Sequence, residues 1–217
     1  MKTDTKAGFT IVELLVALVV ISIIGVTFAT YLSASYFSSL RQQDNLQLGS
    51  ALQAASRTVS DELSLSSGIL TTGTLTDTYA PGGGWITGGS TLVTTTPALD
   101  STATIIYTPT GTPYTNEIVY FVTNNTLYRR VIKNPAATGN STLTTCPQAH
   151  ANSSCPADSV MADNVQSLAF TPLAADGSAT TATNAQLVAF TLVLQKTSYN
   201  TNISSSRTET VRLRNKL

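Results

Sequence analysis

From Phe9 to Phe28 the chain reads FTIVELLVALVVISIIGVTF, an apolar run broken by a single charge, Glu13. As a helix rising 1.5 Å per residue, the run reaches about 30 Å, the thickness of a bilayer's hydrocarbon layer. Lys2 and Lys6 precede it against Asp4, so the positive-inside rule places residues 1–8 in the cytoplasm and the chain beyond about residue 40 outside. A secretory signal peptide has a shorter apolar run, about 7–15 residues, ahead of a small-x-small cut site. Thr27-Phe28-Ala29 has that form, but the run before it is too long and starts too near Met1. A plain membrane anchor explains the length and leaves Glu13 without a purpose. A carboxylate near the start of an apolar span costs on the order of 2–3 kcal/mol, and an acid held in a membrane is read as a functional group with a partner.

The residues Lys6-Ala7-Gly8-Phe9-Thr10-Ile11-Val12-Glu13-Leu14-Leu15 resemble the class III signal of type IV prepilins and pseudopilins. The likeness extends over about residues 6–25 and joins a short basic leader, a Gly-Phe junction, an intramembrane acid and an apolar run. The resemblance implies that a prepilin peptidase cuts after Gly8 and methylates the amine of Phe9, and that Glu13 is the acidic position used in assembly. A freed Phe9 amine, with a pKa of about 8, is mostly cationic at neutral pH. One helical turn from Glu13, it can pair with that carboxylate in its own chain or in a neighbour's. Such a pair fixes register more than it adds stability, because an unpaired charge in apolar surroundings is costly. The implied partners are the peptidase, other pilins or pseudopilins met through the N-terminal helix, and an inner-membrane assembly platform. The implied location is the cytoplasmic membrane, crossed once with the N-terminus in the cytoplasm, and then a cell-surface filament. Many major pilins carry a proline about twenty residues into the mature helix. Thr27 to Tyr31 contains none, and Gly25 is the only helix-weakening residue nearby, which sets the chain apart from bulk filament subunits.

Beyond the apolar run, Arg41 to Leu63 lacks proline, and Leu48, Leu52, Ala55, Val59 and Leu63 recur at helical spacing. Gln43, Gln47, Gln53 and Asp61 lie largely off that stripe, so this half of the helix is expected to be covered by a sheet. Gly68 is the expected stop. Residues 64–101, rich in Thr, Gly and Ser, read as loop. Within them Pro81 to Gly89 (PGGGWITGG) lacks the GK[ST] or GxGxxG context of a phosphate loop and leaves Trp85 either folded back or exposed. The period then changes to two. Strands are expected at Ala103–Tyr107, at Glu117–Val122 and Leu127–Ile132 around an Asn124-Asn125 turn, and at Val165–Phe170, Leu187–Leu194 and Thr208–Leu213. A helix followed by antiparallel strands is an α+β head. Asn116–Phe121, Leu127–Arg130, Asp163–Phe170 and Val211–Asn215 are together similar to the minor-pilin and pseudopilin group containing PilW-type and PulJ-type proteins, low-abundance members associated with the filament tip.

Lys plus Arg and Asp plus Glu both number 12, so no basic excess favours nucleic acid; nucleic acid is not a favoured partner. With 42% apolar and 11% charged residues the chain is not of disordered composition. Cys146 and Cys155 flank the only histidine as C-x3-H-x4-C. A disulfide, a metal set with His150, and free thiols are all open to them; placement outside the cytoplasm favours the disulfide. The acids Asp77, Asp100, Glu117, Asp158, Asp163, Asp176 and Glu209 are scattered, and Asp158 with Asp163 lacks EF-hand spacing. Arg129-Arg130-Lys133 and Arg207-Arg212-Arg214-Lys216 read as solvated strand faces, with a DNA-uptake edge as the sharper alternative. The N-x-[ST] sites at Asn124, Asn140, Asn152 and Asn202 are at chance level for such a composition.

The sequence predicts a cytoplasmic leader at 1–8, an N-terminal helix at 9–64 with its transmembrane and assembly part at 9–40, and a globular α+β head at 65–217. The expected role is a minor type IV pilin, a structural or priming subunit within a pilus or at its tip. A type II secretion pseudopilin is the nearest alternative, and a membrane-anchored adhesin or DNA-uptake receptor is the alternative of another class. No catalytic constellation, cofactor or metal is expected.

Overall fold

A computed structural model describes residues 10–214. Helix α1 (Ile11–Ser64) is followed by eight strands, and the chain divides into two compact units between Asp44 and Asn45.

In the first unit every large apolar side chain from Ile11 to Phe28 is exposed. This helix is long and apolar enough to cross a membrane. Three of its hydroxyls lower their polar cost in such a setting by bonding back to their own helix: Ser22 Oγ donates to the Leu18 carbonyl at 2.7 Å, Thr27 Oγ1 to Ile23 at 3.0 Å, and Ser33 Oγ to Ala29 at 2.9 Å. In hydrocarbon a polar group must find its partner within the protein.

The second unit holds the rest of α1 and two antiparallel sheets. Strands β1 (Gly68–Leu70), β2 (Thr91–Pro97), β3 (Thr115–Thr123), β4 (Thr126–Ile132) and β5 (Ser159–Ala162) form the first sheet in that order; β6 (Val165–Leu173), β7 (Leu187–Ser198) and β8 (Thr201–Arg212) form the second. The α1 stripe Leu48, Leu52, Ala55, Val59 and Leu63 is buried in one core with Leu92, Ile118, Tyr120 and Leu127 of the first sheet and Phe170, Phe190, Leu192 and Leu194 of the second. Each fully buried leucine or valine of that stripe contributes about 1.5–3 kcal/mol. The opposite face of the first sheet carries a smaller core of Trp85, Val93, Val119 and Ile132. The glycine-rich segment therefore folds back on the sheet, with Trp85 6% exposed. Gly83 and Gly84 take φ of 104° and 84° in its turn, a backbone region that glycine enters at little cost.

The β3–β4 hairpin turns at Asn124 and Asn125, whose φ values of 49° and 60° are those of a type I′ turn. Four expectations are corrected. Helix α1 ends at Ser64, its last turn tightened by Leu65 and Ser66 amides donating to the Glu62 and Leu63 carbonyls; Gly68 opens β1, opposite Thr95, instead of stopping the helix. Residues 64–101 contain β1 and a seven-residue strand, β2, the second strand of the five in its sheet. Ala103–Tyr107 is not a strand. Ala103 stands at φ 61°, and the Asp100 carboxylate accepts the amides of Thr102 and Thr104, so the segment turns and makes only isolated bridges. The last strand also begins earlier than expected. A second turn with two positive φ values, Tyr199-Asn200, pairs β7 with β8 along twelve residues each.

Candidate functional site

Gly8 and Phe9 lie outside the described residues. The first turn of α1 is described, and Glu13 is part of its start. The amide of Thr10 donates to Glu13 Oε2 at 2.9 Å, the Thr10 hydroxyl donates to the same oxygen at 3.0 Å, and the Glu13 amide donates to Thr10 Oγ1 at 3.3 Å. This reciprocal exchange is a capping box, with threonine at the N-cap and glutamate three residues on. It satisfies amides that have no partner within the helix and places a carboxylate at the positive end of the helix dipole. Sequence reasoning singled out Glu13 and missed Thr10, although the T-x-x-E spacing ahead of an apolar run is a readable signal. Both contacts from Thr10 use Oε2, so among the described residues Oε1 is left for a further partner.

Within the second unit, α1 is tied to both sheets by charge as well as by apolar packing. Glu62 accepts from Arg129 Nε at 2.7 Å and from the Tyr120 hydroxyl, and Ser60 donates to Glu209 of β8. Burial, and then the Glu62 charge, push the Tyr120 phenol well above its ordinary value. Burial opposes the charge on Glu209, yet Ser60 and Arg207 hold its carboxyl below the usual range.

The first basic group, Arg129-Arg130-Lys133, is not a solvated face; in the second, Arg207, Arg212 and Arg214 are exposed, as expected, and Lys216 lies outside the described residues. Alternation along β4 sends adjacent arginines to opposite sides of the sheet. Arg129, opposite Tyr120, faces α1, whereas Arg130, opposite Val119, faces the Trp85 core. Arg130 is 2% exposed. Its Nε lies 3.0 Å from Asp158 Oδ1, and its Nη1 lies 3.0 Å from Asp77 Oδ2 and 3.3 Å from the Tyr79 carbonyl. Burial alone would weaken the guanidinium's hold on its proton, but the bonds to Asp158 and Asp77 outweigh it and raise its pKa. Arg207 pairs with Glu209, and Lys133 Nζ donates to the Asn140 carbonyl. Asp158 is thus held by Arg130 and Thr145, while Asp163 accepts from Thr126 Oγ1; they do not form a joint cation site, and no metal-binding cluster of three or more acids, cysteines or histidines occurs among the described residues.

Cys146 and Cys155 are joined in a disulfide with Cα atoms 5.6 Å apart. The bridge closes a loop whose short 3-10 turn (Gln148–His150) places His150 against Tyr79, ring centroids 4.9 Å apart.

A membrane-length apolar helix whose carboxyl-terminal half enters the core of antiparallel sheets defines a pilin-like α+β protein. Residues 4–29 match the family model of the prokaryotic N-terminal methylation motif, and the chain is type IV pilin-like. The motif is that of a structural subunit, a pilin or pseudopilin precursor acted on by a prepilin peptidase, and with the apolar helix it supports anchoring in a membrane. No curated protein matches this chain.

Proposed function

We propose that the protein is a minor type IV pilin, cut after Gly8, methylated on Phe9 and assembled through its N-terminal helix into a filament or at its tip. Residues 1–8 would be the cytoplasmic leader, 9–64 the pilin helix and 65–217 the head outside the membrane. The observation that carries the reading is Glu13 in the first turn of a helix whose large apolar side chains from Ile11 to Phe28 are exposed. In a lone subunit Thr10 lowers the cost of that carboxylate; in an assembly Oε1 can take the cationic amine of a neighbour, which makes docking specific. The proline-free stretch Thr27–Tyr31 supports a low-abundance subunit over a bulk one. The engagement of Arg129 and Arg130 with carboxylates removes the first basic group from DNA capture and supports assembly.

The test is the N-terminus and intact mass of the protein from its native cells, alongside Glu13→Ala. A chain beginning at Phe9 with one added methyl is expected, and Glu13→Ala is expected to be processed yet absent from filaments. A start near Thr30, an uncut chain, or normal incorporation of Glu13→Ala would overturn the proposal.

A further inference from the structure

The second unit contains a cleft of about 400 Å³ on the Arg130 side of the first sheet, within the roughly 300–1,000 Å³ range of small-ligand sites. Its walls are the rings of Tyr79, Trp85, Phe121 and Tyr128. Trp85 and Phe121 lie 4.7 Å apart between centroids, and Phe121 stacks on Tyr128 at 5.6 Å with the planes 21° apart. Arg130 and Asp158 also line the cleft, and the disulfide loop contributes Pro147 and Gln148 to its edge.

From these residues we infer that the cleft is a binding site for a neutral oligosaccharide. Charge removes the other classes of small ligand. One guanidinium faces two carboxylates, Asp77 and Asp158, so the buried cluster carries a net negative charge and disfavours phosphates and acidic sugars. A cationic ligand would meet like charge at the rings: the Arg130 guanidinium carbon sits 5.4 Å from the Trp85 ring centre, 5.5 Å from Phe121 and 5.8 Å from Tyr79. A neutral ligand remains.

The polar groups at the cleft specify what kind. Thr91, Thr123, Tyr128 and Gln148 line it, and among the described residues their side chains make no hydrogen bond within the protein. All are uncharged and all can both donate and accept. A pyranose ring has the complementary surface, with apolar C–H faces to lie on aromatic rings and an edge of hydroxyls that donate and accept. A proline-rich peptide would use the rings too, but prolyl nitrogens have no donor, so the acceptors of Gln148 and the threonines would stay unmatched. The site is built to persist: Asp77 holds the Trp85 indole N–H at 2.7 Å as well as Arg130, and the disulfide closes the loop that carries Gln148. This inference is independent of cleavage and assembly, since every residue in it lies in the second unit.

The test uses the full chain in phosphatidylcholine vesicles, which avoids detergents with sugar headgroups, on an array of neutral and sialylated glycans. Any neutral glycan retained is then titrated against the emission of Trp85, the only tryptophan in the protein. Saturable binding is expected, with at least tenfold weaker affinity in Tyr128→Ala and in Gln148→Ala. Gln148 is exposed, so its loss tests the site without threatening the fold. Three results would overturn the inference: no neutral glycan retained, unchanged affinity in Gln148→Ala, or saturable binding only of sialylated glycans or of a decaproline peptide.

Discussion

Tyr120 is the residue through which pH acts most directly on the head. Its ring is fully buried, and its hydroxyl donates to Glu62 on α1. Burial and the adjacent carboxylate hold its folded pKa well above the ordinary 10.0. The unfolded chain therefore releases this proton first as pH rises, so the contribution to stability is complete below about pH 10 and is lost above it. Melting temperatures measured from about pH 8 to about pH 11 are expected to fall more steeply in the wild type than in Tyr120→Phe, which has no phenol to ionise. Equal slopes would remove Tyr120 as the cause. Arg130 is the other decisive residue. It joins β4 to the Asp77 segment and to the stretch after the disulfide, and removing one partner of such a buried cluster costs about 3–5 kcal/mol because charge is left uncompensated. Neither role is visible in a list of residue types. Arg129 and Arg130 are neighbours in sequence, and only strand alternation, which sends one to α1 and the other beneath the Trp85 segment, separates their fates.

At the scale of elements, the disulfide loop is short and polar and has little apolar packing of its own; His150 rests on Tyr79 from outside the core. Its order depends on covalent closure. With the cysteines at a sequence separation of nine, closure is worth about 2–3 kcal/mol in the chain-entropy model. Cys146→Ser/Cys155→Ser is expected to lose about that much in urea unfolding of the head while keeping its strand content by circular dichroism; an unchanged midpoint would show that the loop contributes nothing. The long β7–β8 hairpin shows a different limit. The turn Tyr199-Asn200 needs two positive φ values, which asparagine tolerates and tyrosine disfavours. The first half of β8, Thr201-Asn202-Ile203-Ser204-Ser205-Ser206, is almost wholly polar, so hydrophobic alternation could not announce it. Pairing with Val193–Ser198 of β7, where Leu194 and Ser198 are buried, makes it a strand.

At the scale of the whole molecule, the boundary between the two units falls inside helix α1, after Asp44. The stripe from Leu48 to Leu63 belongs to the core of the sheets, whereas the side chains from Ile11 to Phe28 are exposed apolar surface. A chain beginning at Asn45 is therefore expected to be soluble without detergent and to melt cooperatively. One beginning at Leu65 is expected to fail, because five buried apolar helix residues vanish and each large one removed costs on the order of 2–5 kcal/mol. Circular dichroism melts of the two fragments check this; a folded fragment from Leu65 would mean that the sheets close without the helix.

Local information was sufficient for the helix, its apolar half, its buried stripe and the Asn124-Asn125 hairpin, because each rests on periodicity or turn chemistry carried by neighbouring residues. It was also sufficient for the methylation motif, which is carried by one short segment, residues 4–29. Contacts remote in sequence decided the rest. β2 is a strand because β1 and β3 flank it and cores cover both its faces, and its threonine-rich residues show no alternation that would say so. The aromatic cleft draws on segments as far apart as Tyr79 and Asp158, and two of the acids read as scattered, Asp77 and Asp158, converge on one buried guanidinium. Burial makes those distant pairs obligatory: a charge taken out of water must find its partner wherever the fold can bring one.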